Sequence, residues 1–249
     1  MISIKSKSEL IKIRKAGLIV AKTLKHLKSK VKPGITTKQL DIEAANFIKK
    51  HKARAAFMGY RGYPGHICAS INEEVVHGIP SNRILLDGDI ISLDVGVELD
   101  GYFGDSAITV GVGKIAAESQ RLIDVTRDAL YKAINAARKD NYLSDISYAV
   151  QSHAEKAGFS VVRDFVGHGI GVNLHEEPQI PNFGKPGNGI KLKAGMVLAI
   201  EPMVNAGTWK VEVLQDGWTA VTRDDALSAH FEHTICVTNN KADILTAIN

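Results

Sequence analysis

Apolar residues recur at helical spacing near the start of the chain. Leu10, Ile13, Gly17, Val20, Leu24, Leu27 and Val31 fall on one face, which predicts an amphipathic helix over residues 9–31. "KPG" at 32–34 ends it. Thr36 and Gln39 have the spacing of a capping box, opening a second helix that runs to about Lys50. The pattern then changes, and residues 66–77 and 90–110 read as strands. A long helix is predicted at about 116–139 and another at 144–157, with Ser144 as its N-cap. Residues 159–175, 195–204, 209–222 and 229–238 read as strands and loops.

This order, helix, helix, strands, occurs twice. The helices at 37–50 and 144–157 are about 107 residues apart, which suggests an internal duplication. Two such halves give an α+β fold, with a curved antiparallel sheet covered on the outside by helices. No Pro-rich linker or low-complexity segment divides the chain, so residues 1–249 are expected to form a single domain.

The strand pair "ISLDVGVELDGYFGDSAITV" at 91–110 raises the first chemical question. Asp100-Gly101 is a favoured two-residue hairpin turn, which puts Leu99 opposite Tyr102. Ile91, Leu93, Val95, Val97, Leu99, Tyr102, Ile108 and Val110 then share an apolar face. Asp94 and Asp105 lie on the other face, Asp94 opposite Ala107 and Asp105 opposite Gly96. Their Cβ atoms are diagonal neighbours, roughly 7 Å apart. Like charges that close repel unless something positive lies between them.

Composition narrows the setting. The 249 residues are 45% apolar and 23% charged, as in ordinary globular proteins. No apolar run is long enough to span a bilayer. The first residues lack the apolar stretch of a signal peptide. Cys68 and Cys236 are the only cysteines, so a disulfide framework or a zinc ribbon is not expected, and a reducing cytoplasm is. Residues 1–38 hold eleven Lys or Arg against Glu9, a segment of +10 in a chain of +4. Such a face can meet nucleic acid. Without an accompanying nucleic-acid motif it reads first as a solvated helix face.

Three further stretches repeat the oddity of the hairpin. "DFVGHGIGVNLHEEP" places His168 between glycines, with His175 seven residues on. "GMVLAIEPMV" puts Glu201 within an apolar strand, and "AHFEHTICVT" does the same with Glu232. Singly, His168 reads as a hydrogen-bonded core histidine and the glutamates as strand ends near solvent or a surface Lys. Together, Asp94, Asp105, His168, Glu201 and Glu232 would bring about −4 of charge to one place, which two divalent cations would balance. An oxygen-rich set with one nitrogen suits manganese, iron, cobalt or zinc, and magnesium weakly. Two such ions lower the pKa of a water and polarise a carbonyl, which is hydrolytic chemistry. In this reading Gly96 leaves room beside Asp105.

At these residues the chain resembles the methionine aminopeptidases of the shorter, bacterial kind, with the pita-bread fold. The resemblance covers essentially the whole chain through "KAGLIVA", "NEEVVHGIP", "SLDVGV", "GDSA", "GHGIG", "HEEP", "AIEPM" and "FEHT". It implies a cytoplasmic monomer that removes the N-terminal methionine hydrolytically from nascent proteins when the second residue is small. By motif, Asp94 resembles the ligand that grips one metal, and Asp105 and Glu232 the bridging carboxylates. His168 and Glu201 resemble the ligands of the other metal, with Glu201 also passing the catalytic proton. His77 and His175 resemble the two non-ligand histidines at the scissile amide. Tyr60, Tyr63, Cys68 and Trp218 fall where the family lines its methionine pocket. The family cofactor is a pair of divalent ions, and the basic start is a candidate contact with the ribosome. Leu174 and Phe57 depart from residues found in some members. Two other readings are a proline-directed peptidase of the same fold and a non-enzymatic binding relative. The first usually carries a large N-terminal domain, whereas the first helix here begins near residue 9. The second loses metal ligands, and all five are present here.

Overall fold

The computed structural model describes residues 2–248. Helices α1 (Lys7–Lys30) and α2 (Thr37–Lys50) lead into strands β1 (Arg54–Ala55), β2 (Cys68–Ile71), β3 (Glu74–Val76), β4 (Ile90–Leu99) and β5 (Tyr102–Gly111). Helices α3 (Ala117–Ala136) and α4 (Leu143–Lys156) then open a second series. Its strands are β6 (Ser160–Val161), β7 (Val166–Gly169), β8 (Glu176–Pro181), β9 (Val197–Ile200) and β10 (Met203–Asn205). They continue as β11 (Val211–Val213), β12 (Ala220–Thr222), β13 (Ser228–His230), β14 (His233–Cys236) and β15 (Asp243–Ile244).

The expected duplication is visible bond by bond. Where α2 begins, the Thr37 N–H donates to the Arg83 carbonyl (3.1 Å), and where α4 begins, the Leu143 N–H donates to the Ile190 carbonyl (2.8 Å). The Leu85 N–H reaches the Ile35 carbonyl (2.8 Å), as the Leu192 N–H reaches that of Asn141 (2.8 Å). Thr36 bridges Ile84 as Tyr142 bridges Lys191. The predicted capping box of α2 is present, with the Gln39 N–H donating to Thr36 Oγ1 and the Thr36 N–H to Gln39 Oε1. The N-cap of α4 is Tyr142 rather than Ser144, and its N–H donates to the Asp145 carboxylate (2.7 Å). Ser144 lies inside the first turn, where its hydroxyl bonds the Asn188 backbone. The bridge to Lys191 fixes where α4 starts, so side-chain capping preference does not.

The β4–β5 register is the one the turn predicts: Leu99 pairs with Tyr102, Asp94 with Ala107 and Gly96 with Asp105. Asp100 and Gly101 both have positive φ, as that turn requires. Ile91, Leu93, Val95 and Val97 pack against Val20, Leu24 and Leu27 of α1 and Leu40 of α2. Helix α1 lies hard on β5, because a Cβ on Gly104 would sit 2.8 Å from the Gly17 Cα. In the second half, Leu122 and Leu130 of α3 and Ile146 and Val150 of α4 cover Leu198 and Ile200 of β9.

Two runs expected to be continuous strands are broken, and the breaks build the site. Strand β9 belongs to the sheet β15-β14-β9-β7-β8, while β10 joins β13-β10-β6. Between them lie Glu201 and Pro202, and a proline cannot donate to a ladder. Likewise β13 and β14 belong to different sheets, separated by Phe231 and Glu232. Each glutamate therefore sits where the chain changes sheets, not in mid-strand. The two halves meet at this level. The Glu232 N–H donates to the Ala107 carbonyl (2.9 Å), and β12 pairs with β3 across the join.

Candidate active site

One cavity is lined by all eleven residues singled out from the sequence, with Phe57 as a twelfth. Its floor comes from the hairpin and the sheet changes, and its mouth from the loops carrying Tyr60, His77, His175 and Trp218.

The floor is acidic. Asp105, His168 and Glu232 are buried, and each offers a ligand atom within 4.8 Å of the others. His168 Nε2 is 3.6 Å from Glu201 Oε1. Asp94 Oδ1, Asp105 Oδ1 and Glu232 Oε1 are buried with no hydrogen-bond partner among the described residues. Burial of such groups costs several kcal/mol unless a partner compensates. Burial accordingly pushes Asp94 up to about 7. Asp105, Glu201 and Glu232 are driven well above the ordinary carboxylate range, by burial first and then by the charge of neighbouring carboxylates, Asp94 among them in each case. His168 Nδ1 lies 2.9 Å from the Gly169 carbonyl. An N–H donated there leaves the Nε2 lone pair facing the carboxylates, the arrangement that orients a metal-binding imidazole. Burial lowers His168 to about 4, which keeps it neutral at pH 7. The orphaned oxygens and the free Nε2 fit a divalent cation.

The other side is aromatic. Tyr63 is buried and meets the Trp218 ring edge-on at 5.1 Å. Its hydroxyl donates to the Gly78 carbonyl (2.9 Å), tying the wall to the loop of His77. Cys68 is buried opposite Asp94 in the β2–β4 ladder. His77 has φ +62, a conformation uncommon outside glycine, and burial lowers its imidazole pKa. His175 stacks on Tyr60 at 5.2 Å, with Nδ1 2.9 Å from the tyrosine oxygen, and its ring centroid is 4.2 Å from that of His168. Asp216 bonds the Trp218 N–H (2.8 Å) and so holds the turn that presents the indole.

Two expectations change here. Gly96 does not leave open room beside Asp105: a Cβ there would lie 2.7 Å from the Phe57 ring, so the missing side chain makes space for Phe57. Leu174, one of the two departures from some family members, is not on the rim; it is buried in the core, clustered with Ile170 and Val197. One residue went unnoticed in the sequence. His230 is buried, its Nε2 lacks a hydrogen-bond partner among the described residues, and it lies 3.8 Å from Glu201 Oε2. The signal was a second polar residue two positions before Glu232 in an apolar run.

Residues 11–239 match metallopeptidase family M24. The chain belongs to that family. Methionine aminopeptidase 1 of Bacillus subtilis (strain 168) is 54% identical over 248 residues, covering 100% of each chain. The methionine aminopeptidase of Clostridium perfringens is 53% identical over 248 residues, also at 100% of each. The crystal structure of methionine aminopeptidase from Rickettsia prowazekii superposes with a TM-score of 0.98 at 47% identity, covering 99% of this chain and 100% of that one. Within family M24, then, the chain is a member of the methionine aminopeptidases.

Proposed function

We propose that this chain removes the N-terminal methionine from nascent proteins whose second residue is small. The observation that carries this reading is one cavity joining a buried, unsatisfied carboxylate cluster to an aromatic, sulfur-lined wall. Such a wall suits a thioether side chain. Residues 1–249 act as one catalytic domain.

Asp94, Asp105, His168, Glu201 and Glu232 would hold two divalent cations, drawn from cobalt, manganese, iron and zinc. When bound, the cations lower the pKa of a water and polarise the scissile carbonyl. Tyr60, Tyr63, Cys68 and Trp218 hold the methionine side chain and so fix the first peptide bond over the carboxylates. Glu201, whose proton affinity burial raises, accepts in its ionised form a proton from the attacking water and passes it to the leaving amine. His77 and His175 are neutral at working pH and donate N–H groups to the amide as charge develops on it. The enzyme works as a monomer in the cytoplasm, and the basic residues 1–38 make a salt-sensitive contact with the ribosome. No helix among the described residues is long and apolar enough to cross a membrane.

Peptides Met-X-Ser, with X varied, test the reading after chelation and reloading with each metal in turn. Cleavage is expected for X = Gly, Ala, Ser, Thr, Pro, Val or Cys, and poor turnover for Leu, Lys or Glu. Full activity in a verified metal-free preparation, or rapid cleavage of Met-Lys, overturns it.

A further inference from the structure

The chain before α1 contains a lysine placed unlike the other basic residues of the first segment. The Lys5 side chain is 1% exposed, and its Nζ lies 2.6 Å from Glu176 Oε2. The Lys5 N–H donates to the Gly195 carbonyl (2.8 Å), which fixes the backbone beside β9. Glycines on both sides make room. A Cβ on Gly171 would collide with the Lys5 Cε and Nζ, and one on Gly195 would lie 2.8 Å from the Ile4 Cγ2.

The partner of Lys5 is next in sequence to His175. Glu176 opens β8 and His175 is the residue just before it; His175 lines the cavity and Glu176 does not. His175 turns to the cavity, while Glu176 turns behind it. There the other carboxylate oxygen, Oε1, accepts the Val172 N–H (2.8 Å) and the Asn173 N–H (3.1 Å). The loop between β7 and β8 is thus folded around the Glu176 carboxylate, and the carboxylate is held from behind by a buried ammonium. The Phe103 N–H, donating to the Gly171 carbonyl (2.8 Å), ties the loop to β5 as well.

We infer that Lys5 and Glu176 are positioning residues for His175: the buried pair clamps the 170–176 loop so that the imidazole stays over the scissile amide. The inference rests on the role given to His175 above. Neither residue reaches the cavity lining, so both act through the loop. Breaking a buried pair from one side leaves a desolvated charge that the loop must move to rehydrate. Small displacements of a catalytic group cost large factors in rate.

The test uses the full chain with Lys5→Met, Glu176→Gln and both together. Glu176→Gln keeps an oxygen for the Val172 and Asn173 amides and loses only the charge, so it preserves the fold if Lys5→Met does not. On the metal-free proteins, amide hydrogen exchange across 170–176 should quicken at least about tenfold, while α1 to α4 keep their protection. On the loaded proteins, metal content should be unchanged. The value of kcat should fall on the order of 10- to 100-fold with KM nearly constant. The double variant should be no worse than the worse single one, because the two residues act as a unit. Unchanged exchange in the loop, or a lowered Tm with kcat per folded molecule intact, overturns the inference. The exchange measurement needs no turnover. It therefore decides the clamp even if Met-X-Ser is never cleaved, an outcome that would overturn the activity alone.

Discussion

His168 and His175 show how two imidazoles with centroids 4.2 Å apart acquire different work. His168 lies in β7, is buried, and presents Nε2 to Glu201. His175 stands at the mouth, its ring stacked on Tyr60 and its Nδ1 2.9 Å from the tyrosine oxygen. His168→Ala should therefore lose metal as well as turnover. His175→Ala should keep its metal and nearly its KM, and lose kcat by about 10²–10³, the usual loss for one donor to a developing oxyanion. Metal stoichiometry measured beside kcat separates the two, and equal metal loss would make His175 a ligand. The two positions stood out in the sequence through the GHGIG and HEEP motifs, but the roles proposed for them came from the family resemblance; taken singly, His168 reads as a core histidine. His230 did not stand out, since a histidine in an apolar strand looks the same whether it packs in the core or faces a carboxylate. Lys5 was hidden for a related reason, as one of eleven basic residues in a segment read as a solvated face.

At the scale of the element, local chemistry was readable where it alone decides the geometry. Asp100-Gly101 forces its turn, and the turn forces ten paired residues on each strand of the hairpin. The strand break at Glu201 carried one sign, Pro202, but the break at Glu232 was illegible, because an apolar run does not reveal that its two ends belong to different sheets. The N-cap of α4 was misplaced for the same reason, a tertiary bridge overriding a side-chain preference. Two predictions follow from the first pair of elements. Gly104→Ala inserts a methyl against the α1 backbone, which cannot withdraw as a side-chain tip can. It should destabilise by about 1–3 kcal/mol in urea unfolding, and a neutral result would show that the helix can move off the sheet. Thr36→Ala should cost about 1 kcal/mol through the lost cap of α2. The same measurement checks it, and no change in midpoint would mean that the Thr36–Ile84 bridge alone sets the helix start.

The whole molecule accepts four carboxylates in its interior, and that shapes its response to pH. In the metal-free chain, Asp94 titrates near 7, and Asp105, Glu201 and Glu232 are raised well above the ordinary carboxylate value. From about pH 4 upward the folded chain therefore holds protons that the unfolded chain has released, so these groups make stability fall as pH rises. The buried histidines act in the opposite sense. His168 and His233 are lowered to about 4 and His230 to about 3, all by burial. Between those values and about 7.5 the unfolded chain binds protons that the fold refuses, so this set makes stability rise with pH, its slope fading through about 6.5 and gone by about 7.5. The two sets oppose each other below about pH 7.5, and above it the carboxylates act alone. The Tm of the chelated protein should fall between about pH 7.5 and 8.5. Bound divalent cations need the carboxylates ionised, so loading with manganese or cobalt should raise Tm more at the upper end of that range and flatten or reverse the slope. Asp105→Asn, which removes one of the titrating acids, should make the metal-free slope shallower and weaken the metal's effect. Calorimetric scans with and without metal across this range decide it. A metal-free Tm that is level or rising above about pH 7.5 would mean that the four acids are not desolvated together in the folded chain.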